Sequence, residues 1–473
     1  MWTAQITTGQ RAPWWAVGPV VLATAALISC SIGSAKPSPD VLLITIDTLR
    51  ADYVGAYGAG SQATPFLDEL AARSVLFERA IAAASRTVPA HASIMTSKPT
   101  RGHSVGHRNG ETVLTETETL AEQFRQAGYQ TAAFVSNILL TRGTGLNQGF
   151  EIFDDELVTP ELNRPHVVER LARDTTHAAT QWLTHSDTEK PRFLWVHYQD
   201  PHGPYTPPEE DLTSVASSEP ATDRPLPIGG SNQARGVIPP YQVLPEMTRP
   251  SEYRDRYAGE IHYADRQIRK LIAQAERSAG DRPLIILVTA DHGESLGEAR
   301  FHFMHTHTTT PEVAHIPMIF SAPGFAPQRM DETVGHVDIM PTLMEAAGLT
   351  PPEDAVGIAL GPILRNETTL PDRWVYCDIG TQFSAYHDDG FLRAGGLQGA
   401  WRKTNQPAPE IRRARGQRYR WQPGGMWRAD GLANEPLPPA MVDYAERAVP
   451  MVPLQHTPPE LEDRLRALGY LDD

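Results

Sequence analysis

Acidic and histidine side chains follow three apolar runs of this sequence, near the point where each run ends. They are Asp47, His197, Asp200, His202, Asp291, His292 and Glu294. Apolar runs such as Val41–Ile46 and Leu284–Val288 are typical of parallel strands buried on both faces. Because the carboxyl ends of such strands lie at one edge of a sheet, we expect Asp47, Asp291 and His292 to converge. Two carboxylates and an imidazole suit a divalent cation of hard or borderline character.

A threonine in the stretch SRTVPAHASIMTSKPTRGHSVGHRN could act as a nucleophile. Thr87 precedes Pro89, which is expected to break regular structure, and Ala90–Met95 can then begin a helix. A hydroxyl at that place lies near free backbone N–H groups and the positive end of the helix dipole, which suits an anion. A single Thr at a helix start is usually only a cap. Beside a cation, however, its hydroxyl could be deprotonated and attack an ester.

A histidine-rich stretch, FHFMHTHTTT, follows the third apolar run. Its residues His302, His305 and His307 could be metal ligands, proton donors to a leaving group, or members of a solvated loop. Their spacing does not separate these alternatives.

The elements that would position these residues alternate between helix and strand. One predicted helix begins at Thr64, and the others span Thr119–Gly128, Val168–Trp182, Tyr257–Ala275 and Pro341–Ala347. The further predicted strands span Thr131–Val135, Phe193–Val196 and Ile316–Phe320. This order predicts an α/β fold with a mostly parallel central sheet and helices on both of its faces.

The predicted domain organisation places the site in residues 40–365. A Pro-rich surface insertion at residues 206–250 could cover the site as a lid. Residues 366–473 are expected to form a small irregular C-terminal subdomain that ends in a short amphipathic helix. We expect the rim of the substrate pocket to come from the insertion and from this subdomain.

The composition is that of a globular protein. The chain has 473 residues, of which 40% are hydrophobic and 21% charged, and its net charge is −15. A net charge of this sign argues against a non-specific nucleic-acid surface, so no nucleic-acid partner is expected.

The N-terminal 30 residues have the pattern of an export signal. Arg11 precedes an apolar run that ends in Leu-Ile-Ser-Cys, which resembles a bacterial lipoprotein signal with Cys30 as the lipidated residue. An uncleaved membrane anchor is the alternative. Residues 31–39 would be a linker, and the body would be tethered outside the cytoplasm, on the periplasmic face of a bacterial envelope. Cys377 would then be the only cysteine of the mature body, which excludes an internal disulfide.

The order of five segments resembles the sulfatase family of the alkaline-phosphatase superfamily. The segments are DVLLITIDTLRADYVGAYG, TVPAHASIMTSKPTRGHSV, WVHYQDPHGPY, ILVTADHGESLGE and HTHTTTPEVAHIPMIF. The resemblance covers roughly residues 40–350 and the final segment.

The resemblance implies a role for each of several residues. The implied metal ligands are Asp47, Asp291 and His292, with Thr87 bridging the metal and the substrate. His202 would hold an ester oxygen, and His305 and His307 would lie at the leaving-group side. His91 and Lys98 would contact the substrate, Arg50 would lie beside the first ligand, and Arg101 would help to orient the loop; for Lys98 and Arg101 an exposed loop position is the alternative.

This chain departs from the family pattern at the nucleophile. Sulfatases carry Cys or Ser, oxidised to formylglycine, in a Cys-x-Pro-x-Arg pattern, whereas this chain has Thr87 at that place and His91 in place of the Arg. Thr48 stands where many sulfatases have a second metal-binding Asp. A Thr ester cannot collapse by expelling sulfate as an aldehyde hydrate does, so water must attack the central atom, which phosphorus tolerates far better than sulfur. Thr87 therefore shifts the expected substrate toward phosphoric or phosphonic esters.

The expected cofactor is one divalent metal ion, since the Asp-x-x-x-His pair of a two-zinc site is not found in Asp200-Pro201-His202. Calcium, manganese and magnesium fit the donor types, and zinc is a further option. The substrate would be a small-molecule, glycan or lipid ester. Two alternatives to hydrolysis stay open: a transferase that passes a phospho-alcohol group to an envelope lipid or glycan, and a non-catalytic binding lipoprotein on the same fold.

Overall fold

A central sheet positions the predicted site, and a computed structural model shows how its strands are arranged. The structure describes residues 37–59, 62–103, 105, 117–217, 221–232, 234–380, 382–394, 415–422 and 426–446. The predicted signal with Cys30, most of the linker and the terminal amphipathic helix lie outside these residues. Within them, no helix has the length and apolar character needed to cross a bilayer.

Eighteen strands are found in the described residues. They are β1 Asp40–Ile46, β2 Val75–Ile81, β3 Gln130–Phe134, β4 Ile152–Asp154, β5 Thr159–Pro160, β6 Val168–Glu169, β7 Arg192–Tyr198, β8 Leu284–Ala290, β9 Ser295–Leu296, β10 His302–Met304, β11 His315–Ile316, β12 Met318–Ser321, β13 Gln328–Gly335, β14 Val375–Asp378, β15 Phe383–His387, β16 Gly390–Ala394, β17 Arg415–Gln422 and β18 Met426–Pro436. The α-helices there are α1 Pro65–Ala72, α2 Thr87–Thr96, α3 Leu120–Gln126, α4 Ala172–His185, α5 Glu209–Val215, α6 Pro250–Ala279, α7 Pro311–Ala314, α8 Ile339–Ala346, α9 Gly361–Leu364 and α10 Pro439–Glu446.

The central sheet has the strand order β11-β2-β12-β8-β1-β7-β3-β4, with β13 beside β2. Strand β1 lies between β8 and β7 and is parallel to both. Its last residue, Ile46, is in register with Tyr198 on one side and Ala290 on the other. The three strands therefore end level, and the residues that follow them meet at one edge of the sheet. This confirms the predicted convergence and the mostly parallel sheet, to which β12 is added as an antiparallel member.

Helices cover this sheet, as predicted. The long helix α6 packs against α4, α1 and β8, while α2 packs against α3 and α8. All seven residues of β1 are buried, as expected of a strand covered on both faces. Asp265 of α6 fixes the start of α1, because its two carboxylate oxygens accept the backbone N–H groups of Phe66 and Leu67 at 2.9 and 2.8 Å.

Three helix starts differ from the predictions by three residues or more, and the largest difference is that of α6, which begins at Pro250 rather than Tyr257. Helix α2 begins at Thr87 rather than Ala90, because Pro89 lies in the first turn, where a helix needs no backbone N–H. Helix α4 begins at Ala172, because Val168–Glu169 pairs with Thr159–Pro160 as a short antiparallel ribbon instead.

The predicted insertion at 206–250 contains short helices in its described residues and packs against the histidine-rich segment. It contains α5 and a 3-10 turn at Pro240–Gln242. The Tyr241 hydroxyl and the Gln242 amide both donate to the carbonyl oxygen of Phe303, at 2.8 and 3.0 Å. A lid movement of this segment stays a prediction.

The C-terminal subdomain is a five-stranded antiparallel sheet, β14 to β18, in the described residues. Its strands are regular, contrary to the expected irregular chain. Strand β17 alternates Tyr419 and Trp421 with arginines, which is a period of two with few aliphatic residues. Arg101, which follows α2, is buried and forms an ion pair with Asp378 at the end of β14.

Candidate active site

Three side chains from two adjacent strand ends form a compact buried cluster. Each of Asp47, Asp291 and His292 offers one ligand atom, and these atoms lie within 4.8 Å of one another. His292 Nε2 is 3.4 Å from Asp291 Oδ2 and 3.9 Å from Asp47 Oδ1. All three side chains have no exposed surface. The structure therefore brings together the three metal ligands that the sequence indicates.

In each of the two carboxylates, one oxygen accepts hydrogen bonds from neighbouring groups and the other oxygen faces the cluster. Asp291 Oδ1 accepts the backbone N–H groups of Thr48 and His292, at 3.2 and 2.7 Å. Asp47 Oδ2 accepts the Asn137 amide at 2.8 Å. Asp47 Oδ1 and Asp291 Oδ2 are buried without a hydrogen-bond partner in the described structure. Two unpaired buried oxygens facing one another are a costly arrangement that a cation would relieve.

The tautomer of His292 also suits a metal ligand. Its Nδ1 lies 3.0 Å from the carbonyl oxygen of Gly293, which can only accept, so Nδ1 carries the proton. Nε2 then presents its lone pair to the two carboxylates. A backbone carbonyl that holds the far nitrogen in this way is a common second partner of a metal-bound histidine. The donor set of two oxygens and one nitrogen fits a divalent cation.

Burial makes the cluster unfavourable without positive charge. It raises the pKa of Asp47 well above its usual value, and the nearby Asp291 carboxylate raises it further. Burial raises the pKa of Asp291 to about 7 and lowers that of His292. Burial therefore favours the protonated form of these carboxyl groups, and a bound cation would displace the protons.

Cation binding is expected to weaken as the pH falls below about 7. Because Asp291 has a pKa of about 7, the cation must displace at least one proton below that pH. Each displaced proton lowers the apparent affinity by about tenfold per pH unit. Calorimetric titration of metal-free protein with Mn²⁺ at several pH values measures this dependence. A constant affinity on the acid side of pH 7 would show that the cation binds elsewhere.

Thr87 lies at the cluster as the first residue of α2. Its Oγ1 is 3.4 Å from His292 Nε2, and the residue is only 2% exposed. The hydroxyl therefore lies beside the cluster of Asp47, Asp291 and His292 and at the positive end of a helix, where a developing negative charge is favoured. This is the position that a nucleophile would need.

His91 fixes the first turn of α2 rather than facing a substrate. Trp195 Nε1–H can only donate, and it donates to Thr45 Oγ1 at 3.0 Å. The carbonyl oxygen of Thr87 can only accept, so His91 Nδ1, which lies 2.8 Å away, carries a proton and donates to it. The 3.0 Å contact between Thr45 and His91 Nε2 must therefore run from the hydroxyl to the ring. Both ring nitrogens are thus engaged within the protein.

The predicted substrate contact of His91 is corrected by this arrangement. The ring has no exposed surface, and burial lowers its pKa to about 3, so it is neutral. Thr45 lies one residue before the end of β1 at Ile46, and Asp47 directly follows the strand. The chain of hydrogen bonds therefore links the first turn of α2, which holds Thr87, to the end of β1, which precedes Asp47.

A second group of possible ligands lies behind the first. His91, His197 and Asp291 offer ligand atoms within 4.8 Å of one another. His197 has no hydrogen-bond partner for either ring nitrogen in the described structure, and its Nε2 is 3.7 Å from Asp47 Oδ2. Because His91 already uses both nitrogens, the cluster with His292 is the better cation site.

Two further histidines line up beside the cluster. The ring centre of His305 lies 4.5 Å from that of His292 and 5.3 Å from that of His202. Burial lowers the pKa of His202 to about 3 and that of His305 well below its usual value. His202 Nδ1 donates to the Gly203 carbonyl at 2.8 Å, and His305 Nδ1 lies 3.3 Å from the buried carboxylate of Glu294. Their Nε2 atoms are the remaining groups that can exchange a proton with a substrate.

His307 lies one step further from the cluster. Its Nδ1 donates to the carbonyl oxygen of His305 at 2.7 Å, and its ring packs on Phe301. Burial lowers its pKa to about 4. Its contacts indicate that it positions His305.

The basic side chains to which the family resemblance gives a role, Arg50, Lys98 and Arg101, form ion pairs outside the cluster. Arg50 donates to the Glu294 carbonyl at 2.9 Å and pairs with Asp52 and Glu298. Lys98 pairs with exposed Asp354 at 2.5 Å, beyond the far end of α2. The structure does not bring Lys98 to the cluster, and this corrects its predicted substrate contact. Arg101 is buried against the C-terminal subdomain rather than exposed.

Asn137 and Glu294 are the site residues that the sequence reasoning left without a role. Asn137 holds Asp47 and comes three residues after β3, which is parallel to β7. Glu294 holds His305, and its other oxygen accepts the Tyr205 hydroxyl at 3.2 Å. The same rule of strand ends that found Asp47 would have indicated Asn137.

Comparison with known proteins identifies the family of the chain. Residues 39–349 match the family model described as Sulfatase. The chain is 25% identical over 366 residues to the Delta 4,5-hexuronate-2-O-sulfatase of Bacteroides thetaiotaomicron, covering 70% of this chain and 73% of that protein. It is also 25% identical over 381 residues to the choline-sulfatase of Rhizobium meliloti, covering 70% and 73%. Among solved structures, the phosphonate monoester hydrolase of Agrobacterium radiobacter superimposes with a TM-score of 0.58 at 22% identity, covering 75% of this chain and 87% of that one.

Proposed function

The chain belongs to the sulfatase family, and we propose that it is a metal-dependent hydrolase of sulfuric, phosphoric or phosphonic esters with Thr87 as its nucleophile. The observation that carries this proposal is the 3.4 Å approach of Thr87 Oγ1 to His292 Nε2, next to two buried carboxylate oxygens without partners. The intact cluster also argues against the alternative of a non-catalytic binding protein.

Thr87 would attack the sulfur or phosphorus atom through Oγ1. A divalent cation held by Asp47, Asp291 and His292 would lower the pKa of the hydroxyl and stabilise charge on an ester oxygen. The bond from Oγ1 to the central atom forms, the bond to the alcohol oxygen breaks, and the alcohol leaves with a proton. Water then attacks the central atom and releases Thr87.

His202 and His305 would serve the proton transfers. Because His202 Nδ1 is engaged by Gly203, a hydrogen bond from Nε2 to an ester oxygen requires the protonated ring. The negative charge of a bound ester favours that form. At His305, Nδ1 lies 3.3 Å from Glu294 Oε1, and burial raises the pKa of Glu294 well above its usual value, so Glu294 can supply a proton to the ring. Both rings are neutral before the substrate binds and can take up a proton with it.

The proposed preference is for phosphorus over sulfur. The covalent Thr87 ester has no aldehyde group through which to expel sulfate, so release depends on attack by water at the central atom. Two oxygens and one nitrogen leave calcium, manganese, magnesium and zinc open as the cation. We further propose a glycan or small-molecule ester as substrate, and anchoring through Cys30 to the periplasmic face of a bacterial envelope.

Two esters with the same leaving group test this preference. We expect kcat/KM for 4-nitrophenyl phenylphosphonate to exceed that for 4-nitrophenyl sulfate by about tenfold or more in cation-loaded protein, which is a difference of about 1.4 kcal/mol in transition-state stabilisation. The reverse order would contradict the preference for phosphorus and leave ester hydrolysis standing. No turnover of either ester by protein of measured cation content would contradict the proposed function itself.

A further inference from the structure

Two arginines from different parts of the chain flank the histidine-rich segment. Arg235 belongs to the insertion, and its guanidinium carbon lies 4.5 Å from the centre of the Phe301 ring. That ring packs in turn on His307, with 3.6 Å between the ring centres. Arg393 belongs to β16 of the C-terminal sheet and donates to Gln382 Oε1 at 3.0 and 2.5 Å. Because Gln382 donates to the carbonyl oxygen of His307, both arginines are connected to that residue.

His307 connects the two arginines to the proposed reaction. Its Nδ1 donates to the carbonyl oxygen of His305 at 2.7 Å, and the ring centre of His305 lies 4.5 Å from that of His292. The family resemblance implies that His305 and His307 lie at the leaving-group side. A group bound by the arginines would therefore belong to the alcohol part of the ester and not to the reacting sulfur or phosphorus.

Positive charge dominates around His307 in the described residues. Neither Arg235 nor Arg393 forms an ion pair with a carboxylate there. Burial lowers the pKa of His307 to about 4, and the charges of Arg393 and Arg235 act in the same direction. The carboxylate of Glu298 opposes them, but it is already paired with Arg50 at 2.8 Å. An anionic group would therefore find countercharge at this place.

The positive charge is local, because the chain as a whole is acidic. The net charge of the protein is −15, whereas the stretch from Phe391 to Arg428 contains nine Lys or Arg residues and one carboxylate, that of Glu410. Part of this stretch forms β16 and β17. A concentration of one charge beside a site raises the local concentration of the opposite charge. Anions are thus favoured on this side of the site in spite of the net charge.

The backbone between the two arginines is held in a strained conformation. Ala299, Arg300, Phe303 and Thr306 have φ angles of 49°, 65°, 56° and 62°, in the left-handed region that side chains other than glycine rarely adopt. Such residues cost on the order of 1–3 kcal/mol each and persist only where the surroundings fix them. Here the insertion binds the Phe303 carbonyl, and Thr306 N–H donates to the Ser85 carbonyl at 3.1 Å. The segment is therefore fixed before a ligand binds.

We propose that Arg235 and Arg393 bind a second anionic group, a carboxylate, sulfate or phosphate carried by the alcohol part of the ester. Gln382 is a neutral acceptor, so it leaves the charge of Arg393 uncompensated. The contact of Arg235 with an aromatic ring leaves its N–H groups available, and guanidinium groups bind such oxyanions through paired hydrogen bonds. The assignment rests on the proposed ester hydrolysis, because that reaction defines the alcohol part.

The first test compares two esters that differ in one charge. For the better central atom of the previous test, kcat/KM is measured on the esters of 4-hydroxybenzoate and of 4-hydroxybenzamide, whose alcohol parts have nearly the same shape. The measured quantity is the change in their ratio between wild type and variant, since the two alcohols differ as leaving groups. We expect Arg393→Met and Arg235→Met each to lower the ratio of charged to neutral ester by about tenfold. Arg393→Lys keeps the charge and should lower it less.

Arg277→Met is the matched control for Arg393→Met. Arg277 lies on the exposed surface of α6, and its Nε and Nη2 donate to Gln274 Oε1 at 3.2 and 2.7 Å, as those of Arg393 do to Gln382. Its replacement removes the same hydrogen bonds away from the histidine-rich segment and should leave the ratio unchanged. Equal losses on both esters in Arg393→Met would overturn the proposal, because Arg393 would then only position the segment through Gln382.

A binding measurement decides the proposal without turnover. Calorimetric titration of the whole metal-free protein with 4-hydroxybenzoate and with 4-hydroxybenzamide compares the anion with its neutral counterpart. We expect 4-hydroxybenzoate to bind more tightly, and Arg393→Met to raise its Kd by about tenfold. Raising NaCl from about 0.05 M to about 0.5 M should reduce the difference, since salt screens partly exposed charges.

The two measurements separate the anion site from the reaction. Equal or weaker binding of 4-hydroxybenzoate, or an unchanged Kd in both Arg393→Met and Arg235→Met, would overturn the anion site. Tighter binding of 4-hydroxybenzoate by protein that hydrolyses neither ester when loaded with cation would instead contradict the proposed hydrolysis and leave the anion site standing.

Discussion

Replacing Thr87 by Ala is expected to lower kcat by about 10⁴-fold or more, while the protein still binds its cation and stays folded. The change removes the hydroxyl 3.4 Å from His292 Nε2 and leaves Asp47, Asp291 and His292 in place. Thr87→Ser keeps a hydroxyl at the same backbone position and should retain most of the activity. Initial rates on the better 4-nitrophenyl ester, with cation content and Tm of each variant, measure this.

Thr96→Ala is the matched control for Thr87→Ala. Thr96 lies at the other end of α2, is also 2% exposed, and its hydroxyl donates to the Ala92 carbonyl at 2.6 Å. The same atoms are therefore deleted from the same helix, away from the cluster. If both variants lose activity equally, the helix and not the Thr87 hydroxyl is responsible. Turnover of Thr87→Ala at the wild-type rate would show that water attacks directly.

Replacing Asp291 by Asn is expected to abolish cation binding and to lower kcat/KM by about 10³-fold or more. The amide can keep the two backbone hydrogen bonds to Oδ1, but it removes the negative charge from the atom that faces His292. Elemental analysis of purified protein gives the cation content, and ester hydrolysis gives the rate. Wild-type cation content in this variant would contradict the assigned ligand set.

The same variant is expected to be more stable than the wild type when both are free of metal. The pKa of Asp291 is raised in the folded protein to about 7, so the wild type loses stability as the pH rises from about 4 to about 7. The amide that replaces this carboxyl does not titrate, so the difference in Tm should grow over that interval and then stay constant. Saturating cation should reverse the order, because a ligand at a hundred times its Kd stabilises the wild type by about 2.7 kcal/mol.

Asp265→Asn is the control that separates the loss of cation binding in Asp291→Asn from the effect of replacing any buried carboxylate. Asp265 is 1% exposed, accepts two backbone N–H groups, and burial raises its pKa to about 7 as well. Its replacement should change the pH dependence of Tm in a similar direction. It should not change the cation content, since Asp265 lies in α6 against the start of α1.

The sequence predicted the convergence of Asp47, Asp291 and His292 because it depends on one simple rule. Val41–Ile46 and Leu284–Val288 are apolar enough to identify buried parallel strands, and parallel strands place their ends together. Thr87 needed more than local pattern, because a single hydroxyl at a helix start is usually a cap. Its assignment came from the predicted ligands at the strand ends together with the family resemblance, and in the structure Thr87 lies at the cluster.

The errors have physical causes that can be named. His91 was expected to contact the substrate because it replaces an arginine of the family pattern. It lies four residues after Thr87, however, which places both on one face of α2 and allows the ring to bond the Thr87 carbonyl. Strand β17 was missed because arginines and aromatic residues carry its alternation.

The buried ion pair between Arg101 and Asp378 limits which C-terminal sheets this protein could acquire from its relatives by recombination. Arg101 follows the nucleophile helix directly, and its guanidinium also packs on Phe383 and Tyr444. A chain that ended at residue 365 would leave this charge without its counter-ion, and breaking a buried pair costs about 3–5 kcal/mol. A C-terminal sheet acquired by recombination would thus be tolerated only together with a compatible partner at position 101. The two parts are expected to have been inherited as a single unit.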